Sequence, residues 1–341
     1  MADYERLTRL GAGNFGEVWL VYDHALAVRR AVKHISRSRI QDPTNFYNEP
    51  QTLMALRHDN IVRVEDAGKL SDGTLYVAME YLPRGSVEDV FRGNPIPLTR
   101  SFAILEDVCW ALEFAHQKDY IHRDIKPANI LIAQNNKGKL SDFGLATRVP
   151  RGGTASPYGY LTHVAPEVLR TGKTSKSSDI YALGVTAYRL INGDAFLPDA
   201  SDPSDIQDLI LAGEYPNRDH YRPYIPNKIK RIVNQCMAIR KSDRFGSASE
   251  FRRALERIKI HCDWRLRRKR RVITYITKIG SATYKVVIKP DRSDHFNITT
   301  TKVVGSGSRR RITKDCYSRL TLVQMKQRLR QILPRYVEKG K

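Results

Sequence analysis

The chain has 341 residues, 41% of them hydrophobic, and a formal net charge of +22, which leaves room for about two domains, or one large bilobal domain plus an appendage, with an ordinary globular core. No apolar stretch approaches the roughly 20 residues of a membrane-spanning helix, and the opening Met-Ala-Asp-Tyr-Glu-Arg lacks the basic-then-apolar order of a secretory signal, so a cytoplasmic location is expected. Cys109, Cys236, Cys262 and Cys316 lie far apart with no Cys-x-x-Cys pair, which argues against a disulfide framework and against a zinc site. The charge is uneven: 23 of the 58 Lys and Arg but only 5 of the 36 Asp and Glu fall in residues 259–341, a net of +18 there against +4 for residues 1–258. Such a split points to two parts with separate jobs, the second facing an anionic partner or surface.

Residues 4–35 read as strand, Gly-rich turn, strand and strand, with Leu7 and Leu10, then Val18, Leu20 and Tyr22, then Ala31, Val32 and Ile35 as apolar positions. Thr44 to Leu56 has helical spacing through Phe46, Leu53 and Leu56, and Leu75 to Leu82 is a short apolar run suited to a buried strand. Helical patterns then take over. The stretches 101–115 (Phe102, Leu105, Val108, Leu112, Ala115) and 179–191 predict core helices, and 249–258 predicts an amphipathic helix that ends the first domain. After the basic run from Arg265 to Arg271 the period changes to two: Tyr284, Val286 and Ile288 alternate with Lys285, Val287 and Lys289, and Phe296, Ile298 and Thr300 repeat the pattern. Gly305-Ser306-Gly307-Ser308 signals a turn. Leu322, Met325, Leu329 and Ile332 predict a last helix, opened by a capping box from Thr321 to Gln324 and stopped by Pro334.

Gly11, Gly13 and Gly16 stand on the turn between two strand-like runs, where absent side chains let backbone N–H groups approach phosphate oxygens; a structural hairpin turn would use the same residues. Lys33 follows in an apolar strand and needs an anion: nucleotide phosphates or Glu49, although Pro50 disfavours helical geometry at Glu49, and a surface position on a strand edge is the alternative. The strongest signal is His122-Arg123-Asp124-Ile125-Lys126-Pro127-Ala128-Asn129, followed by Asp142-Phe143-Gly144. Phosphoryl transfer needs metal ions on the triphosphate, oxygen ligands to hold them, a carboxylate near the incoming hydroxyl and a cation on the γ-phosphate, and each of those parts is present.

On these motifs residues 4–260 resemble the eukaryotic-like (Hanks-type) serine/threonine protein kinase family, and the stretch from Asn60 to Gly68 resembles its bacterial members. The resemblance implies an α+β, bilobal fold with an N-lobe over 1–82 and a C-lobe over 83–260; the charge and the change of period predict a small basic β-then-α domain after it, at 261–341. The resemblance also implies ATP and Mg²⁺ as cofactors, with transfer to Ser or Thr of a protein substrate. Asp124 matches the catalytic base, Lys126 the lysine on the transferring phosphate, and Asn129 and Asp142 the Mg²⁺ ligands. Lys33 would hold the α- and β-phosphates with Glu49 behind it, beneath a roof of Gly11, Gly13 and Gly16; Val18, Ala31, the gatekeeper Met79 and the hinge from Glu80 to Leu82 complete the nucleotide site. Ala165-Pro166-Glu167 with Arg244, and Asp179, match scaffolding positions of the family.

Tyr160 departs from the pattern, standing where the family's threonine bonds the catalytic aspartate; Thr162 is the alternative hydroxyl, and the peptide site is what the departure affects. Arg123, beside Asp124, suggests autophosphorylation among Thr147, Thr154, Ser156 and Tyr158, foremost Thr154 or Ser156. For the C-terminal domain the readings are nucleic acid, an acidic protein, docking of the kinase's own substrate, or a solvated basic surface; Tyr275, Tyr284 and Phe296 would stack on bases or serve as core. A nucleotide-sensing scaffold without transfer is the alternative to an enzyme.

Overall fold

The computed structural model describes residues 4–13, 16–35, 51, 54–70, 73–143, 147–148, 161–198, 202–291 and 295–340. The first three strands form in the stretch read as strand, Gly-rich turn, strand and strand: β1 (Tyr4–Gly13), β2 (Gly16–Asp23) and β3 (Val28–Ile35). They join β4 (Val64–Lys69) and β5 (Leu75–Glu80) in an antiparallel sheet of order β1-β2-β3-β5-β4. One face closes over Val21, Val32, Tyr76 and Ala78. The other presents Val18, Ala31, Lys33 and Met79, because Val18 pairs with Lys33 and Ala31 with Met79 across the strands. Most of the helix expected over 44–56, Glu49 included, lies outside the described residues.

The helical lobe begins with α1 (Val87–Phe91), capped by Ser86 in a capping box with Asp89, and α2 (Leu98–Gln117), whose stripe of Phe102, Leu105, Val108, Leu112 and Ala115 is buried. Four short strands follow, β6 (Tyr120–Ile121), β7 (Ile130–Ile132), β8 (Gly138–Leu140) and β9 (Thr147–Arg148), paired as β6–β9 and β7–β8. Next come α3 (Pro166–Thr171), α4 (Lys176–Asn192), α5 (Pro203–Ala212), α6 (Asn227–Cys236) and α7 (Ala248–Glu256). Helix α4 is buried nearly all round, as expected of a helix apolar on every side at the centre of a lobe. A β-rich lobe and a helical lobe thus meet as the family resemblance implies.

The remaining strands are β10 (Arg265–Lys269), β11 (Val272–Ile279), β12 (Ala282–Pro290), β13 (Phe296–Val304), β14 (Arg310–Arg311) and β15 (Tyr317–Leu320), an antiparallel sheet of order β10-β11-β12-β13 with β14 and β15 both on the outer edge of β13. The final helix α8 (Leu322–Lys339) covers one face. Its capping box between Thr321 and Gln324 forms as expected. Pro334 does not stop it: the helix runs five residues further, to Lys339. A proline inside a helix costs on the order of 3 kcal/mol. Here Leu333, Tyr336 and Val337 are buried on either side of it, and each large apolar side chain so buried returns roughly 1.5–3 kcal/mol. Trp264 locks this layer together, donating from Nε1 to the Leu333 carbonyl at 3.0 Å with its ring edge-on to Tyr336. The sheet also touches the helical lobe: Thr99 at the start of α2 donates to Asp263, and Tyr224 meets Tyr275 at 6.4 Å between ring centroids.

Candidate active site

The site lies where the open face of the first sheet meets the loops around β7 and β8. Lys33, only 6% exposed on β3, places its ammonium 3.0 Å from Asp142 Oδ1. The β7–β8 hairpin holds the other members in reach. Asn129 immediately precedes β7 and Asp142 closely follows β8, and the Ser141 N–H donates to the Asn129 carbonyl at 2.9 Å. A parallel bridge between Ile61 and Leu140, with the Leu140 N–H donating to the Asn60 carbonyl at 2.7 Å, ties the hairpin to the first lobe.

Asp124 is buried and its carboxylate is fixed by its neighbours: Lys126 Nζ donates to Oδ2 at 2.7 Å and Asn129 Nδ2 donates to the same oxygen at 2.9 Å. Asn129 Nδ2 also donates to the Asp124 carbonyl at 2.8 Å. With the amide nitrogen spent on Asp124, the Asn129 amide oxygen has no hydrogen-bond partner among the described residues, and neither has Asp142 Oδ2. Two such oxygens suit Mg²⁺, which keeps most of its shell for water and phosphate. Among the described residues no three His, Cys, Asp or Glu gather as an all-protein metal cage. Burial alone would raise the Asp142 carboxyl; the Lys33 ammonium, with His122 and Lys126 nearby, holds it below the usual carboxylate range instead.

The glycine turn supplies space above Lys33. Gly13 pairs with Gly16 at the end of the β1–β2 hairpin, and Gly11 pairs with Val18. At Gly16 φ is +134° and a Cβ would lie 1.9 Å from the His34 carbonyl oxygen, so glycine is needed by the fold itself. At Gly11 a Cβ would meet nothing within 4 Å; the chain's own packing does not require glycine there, which fits a ligand that approaches the backbone. Val18, Ala31 and Met79 are half-buried on the same face as Lys33. The Glu80 carboxylate is engaged, accepting from Lys139 Nζ at 2.6 Å and from the Arg63 N–H at 2.8 Å, and the Glu80 N–H donates to the Arg63 carbonyl at 3.0 Å. A cleft of about 660 Å³ lined by Val28, Arg30, Glu65, Tyr81 and Asn135 also opens beside the hinge, but Lys33, Asp124 and Asp142 do not line it.

Two backbone positions in the site are strained: Arg123 and Asp142 are non-glycine residues at φ of 71° and 59°, each costing roughly 1–3 kcal/mol. Asp179, 1% exposed on α4, braces the first of them. Its carboxylate accepts from the Arg123 N–H at 2.9 Å, the His122 N–H at 2.8 Å and His116 Nε2 at 2.8 Å. Glu167 and Arg244 pair through two hydrogen bonds, 2.8 and 2.6 Å, with the guanidinium fully buried.

Three contributors escape a reading of the sequence. His122 Nδ1 accepts the Asp124 N–H at 3.2 Å while Nε2 donates to the Ser141 carbonyl at 3.0 Å, which sets the tautomer and links the loop before β7 to the loop after β8; burial lowers the pKa of this ring. His116 and Ser141 complete the network. The position of His122 beside Arg123-Asp124 was the available signal; His116 offered none. The Thr162 hydroxyl shares a hydrogen bond with His163 Nδ1 at 3.0 Å rather than with Asp124. Glu49, Thr154, Ser156, Tyr158 and Tyr160 lie outside the described residues, as does the side chain of Thr147.

The arrangement offers two oxygen ligands for a divalent cation, two ammonium groups for phosphate and one carboxylate for a hydroxyl proton. Residues 4–255 match the protein kinase domain family model. The serine/threonine-protein kinase PknB of Mycolicibacterium smegmatis is 33% identical over 268 residues, covering 75% of this chain and 43% of that one. PknB of Mycobacterium leprae is 33% identical over 267 residues, with the same two coverages, and PrkC of Bacillus subtilis is 31% identical over 255 residues, covering 72% and 39%. The chain spans less than half the length of these curated relatives. Among the described residues no helix is long and apolar enough to cross a membrane. With its motifs gathered in one cleft and residues 4–255 matched, the chain belongs to the protein kinase domain family.

Proposed function

We propose that the chain transfers the γ-phosphate of ATP to Ser and Thr hydroxyls of protein substrates. The observation that carries this reading is the convergence of Lys33, Asp124, Lys126, Asn129 and Asp142, drawn from a strand and two loops, with Lys33 bonded to Asp142 and both Lys126 and Asn129 bonded to Asp124. Asn129 Oδ1 and Asp142 hold magnesium, which neutralises the triphosphate oxygens when bound. Lys33 steadies the α- and β-phosphates, with Glu49 behind it. Gly11, Gly13 and Gly16 roof the phosphates, Val18, Ala31 and Met79 flank the base, and the backbone from Glu80 to Leu82 reads its edge. Asp124 orients the substrate hydroxyl and accepts its proton while Lys126 offsets the charge on the transferring group.

Further parts of the reading follow from sequence. Thr154 or Ser156 is autophosphorylated, and the new phosphate pairs with Arg123. The chain divides near residue 260, and its basic C-terminal part serves an anionic partner, nucleic acid or acidic protein. The test is incubation of the full chain with γ-labelled ATP and a generic basic protein, followed by phosphoamino acid analysis. Label on phosphoserine and phosphothreonine is the expected result; no label on chain or substrate contradicts the reading.

A further inference from the structure

Cross-strand register assigns every residue of the C-terminal sheet to one of two faces. One face is closed: Tyr275, Tyr284, Val286 and Ile298 are buried, and Tyr284 packs 5.1 Å from Tyr336 of α8. The opposite face has no buried residue, and among the described residues no helix or strand packs over it. A single row crosses it from edge to edge, Arg265 beside Ile276, Ile276 beside Lys285, Lys285 beside Thr301 and Thr301 beside Arg311. The next row runs Arg267, Thr274, Val287, Thr299. Lys269 and Lys289 stand on the same face, two and four residues along their strands from Arg267 and Lys285. Strands β10 to β14 contain no Asp or Glu, and none of these six cations forms an ion pair among the described residues.

We propose that this open face docks on duplex DNA across its major groove. Five adjacent strands at about 4.8 Å put the β10 and β14 rims about 19 Å apart, which straddles a groove of about 12 Å. Arg265, Arg267 and Lys269 then meet the phosphates of one strand and Arg311 those of the other. Between the rims the face carries Lys285, threonine hydroxyls and the aliphatic Ile276 and Val287, groups suited to base edges and thymine methyls. A single strand would need stacking rings, and the module's tyrosines at 275 and 284 are turned to the buried face. An acidic protein fits less well, because protein interfaces are apolar and aromatic at the centre and lose charge there. The A-form major groove of duplex RNA is too deep and narrow for side chains to read.

The inference rests on the anionic-partner reading of the C-terminal part and is independent of phosphate transfer. It is tested by fluorescence anisotropy of a labelled mixed-sequence DNA duplex titrated with the full chain over a salt series. With the four phosphate contacts of Arg265, Arg267, Lys269 and Arg311, affinity falls on the order of 10²-fold between 50 and 200 mM salt. Arg267→Glu with Lys285→Glu lowers affinity at least tenfold and, with one phosphate contact removed, makes the salt slope shallower by about one. The milder pair Lys285→Gln and Arg311→Gln shifts both in the same direction. Circular dichroism and magnesium–nucleotide uptake of both variants, unchanged from the parent, show that the fold is intact. Salt-independent or absent duplex binding, unchanged binding by folded variants, or tighter binding to single-stranded DNA, duplex RNA or polyglutamate overturns the proposal. Binding to polyglutamate alone leaves the anionic-partner reading standing, and binding to no polyanion removes both.

Discussion

The Lys33 ammonium sits 3.0 Å from Asp142 Oδ1 although 109 residues separate the two in sequence. This pair couples the β-rich lobe to the loop after β8, and it keeps Asp142 ionised. A carboxyl whose folded pKa is lowered adds stability above its ordinary value near 3.8, and that contribution is lost as pH falls through the folded value. Lys33→Met removes the partner and destabilises the fold by about 1–3 kcal/mol at pH 7. Urea denaturation of the two proteins measures it, and equal midpoints contradict the coupling.

Asp124→Asn keeps the shape of the side chain and its contacts with Lys126 and Asn129 but cannot accept a proton. Phosphate transfer falls by roughly 10²–10⁴ while magnesium–nucleotide affinity is retained. Rates and affinities measured on the same preparation distinguish a base from a scaffold residue, since the latter would lose both or neither.

Arg244 is fully buried against Glu167, so removing one partner strands the other. Arg244→Ala is expected to cost about 3–5 kcal/mol. The Glu167→Gln, Arg244→Met double variant costs less than the sum of the singles, which chemical denaturation in a double-mutant cycle reports.

Burial, with the positive charges of Arg189 and Lys126, pushes His163 well below the usual histidine pKa. The unfolded chain therefore takes up a proton near pH 6.5 that the folded chain refuses, and stability falls as pH drops below that value. The slope contributed is at most about 1.4 kcal/mol per pH unit. Denaturation midpoints between pH 7.5 and pH 5 measure it, and His163→Leu flattens the dependence.

Much of this was legible in the sequence because it is local. The strand runs read in 4–35 and the alternation in 284–300 produced strands, the helical stripes of 101–115 and 179–191 produced core helices, and the capping box at Thr321 formed. The family motifs pointed to Lys33, Asp124, Asn129 and Asp142, which the fold brings together. What was not legible depends on distant partners. His116 reaches Asp179 across 63 residues, and no local pattern encodes that. Pro334 reads as a helix stop, and only the burial of Leu333, Tyr336 and Val337 overrides it. The period of two in β12 sorted its residues into two sets, but which set is buried follows from where α8 packs.

Calorimetric titration of a non-hydrolysable ATP analogue into the full chain, with and without magnesium, tests the central claim most directly. The account predicts uptake that requires magnesium, weakened at least tenfold in Asp142→Asn and in Asn129→Leu, each verified as folded. Uptake that ignores magnesium, or is the same in the parent and both variants, contradicts it.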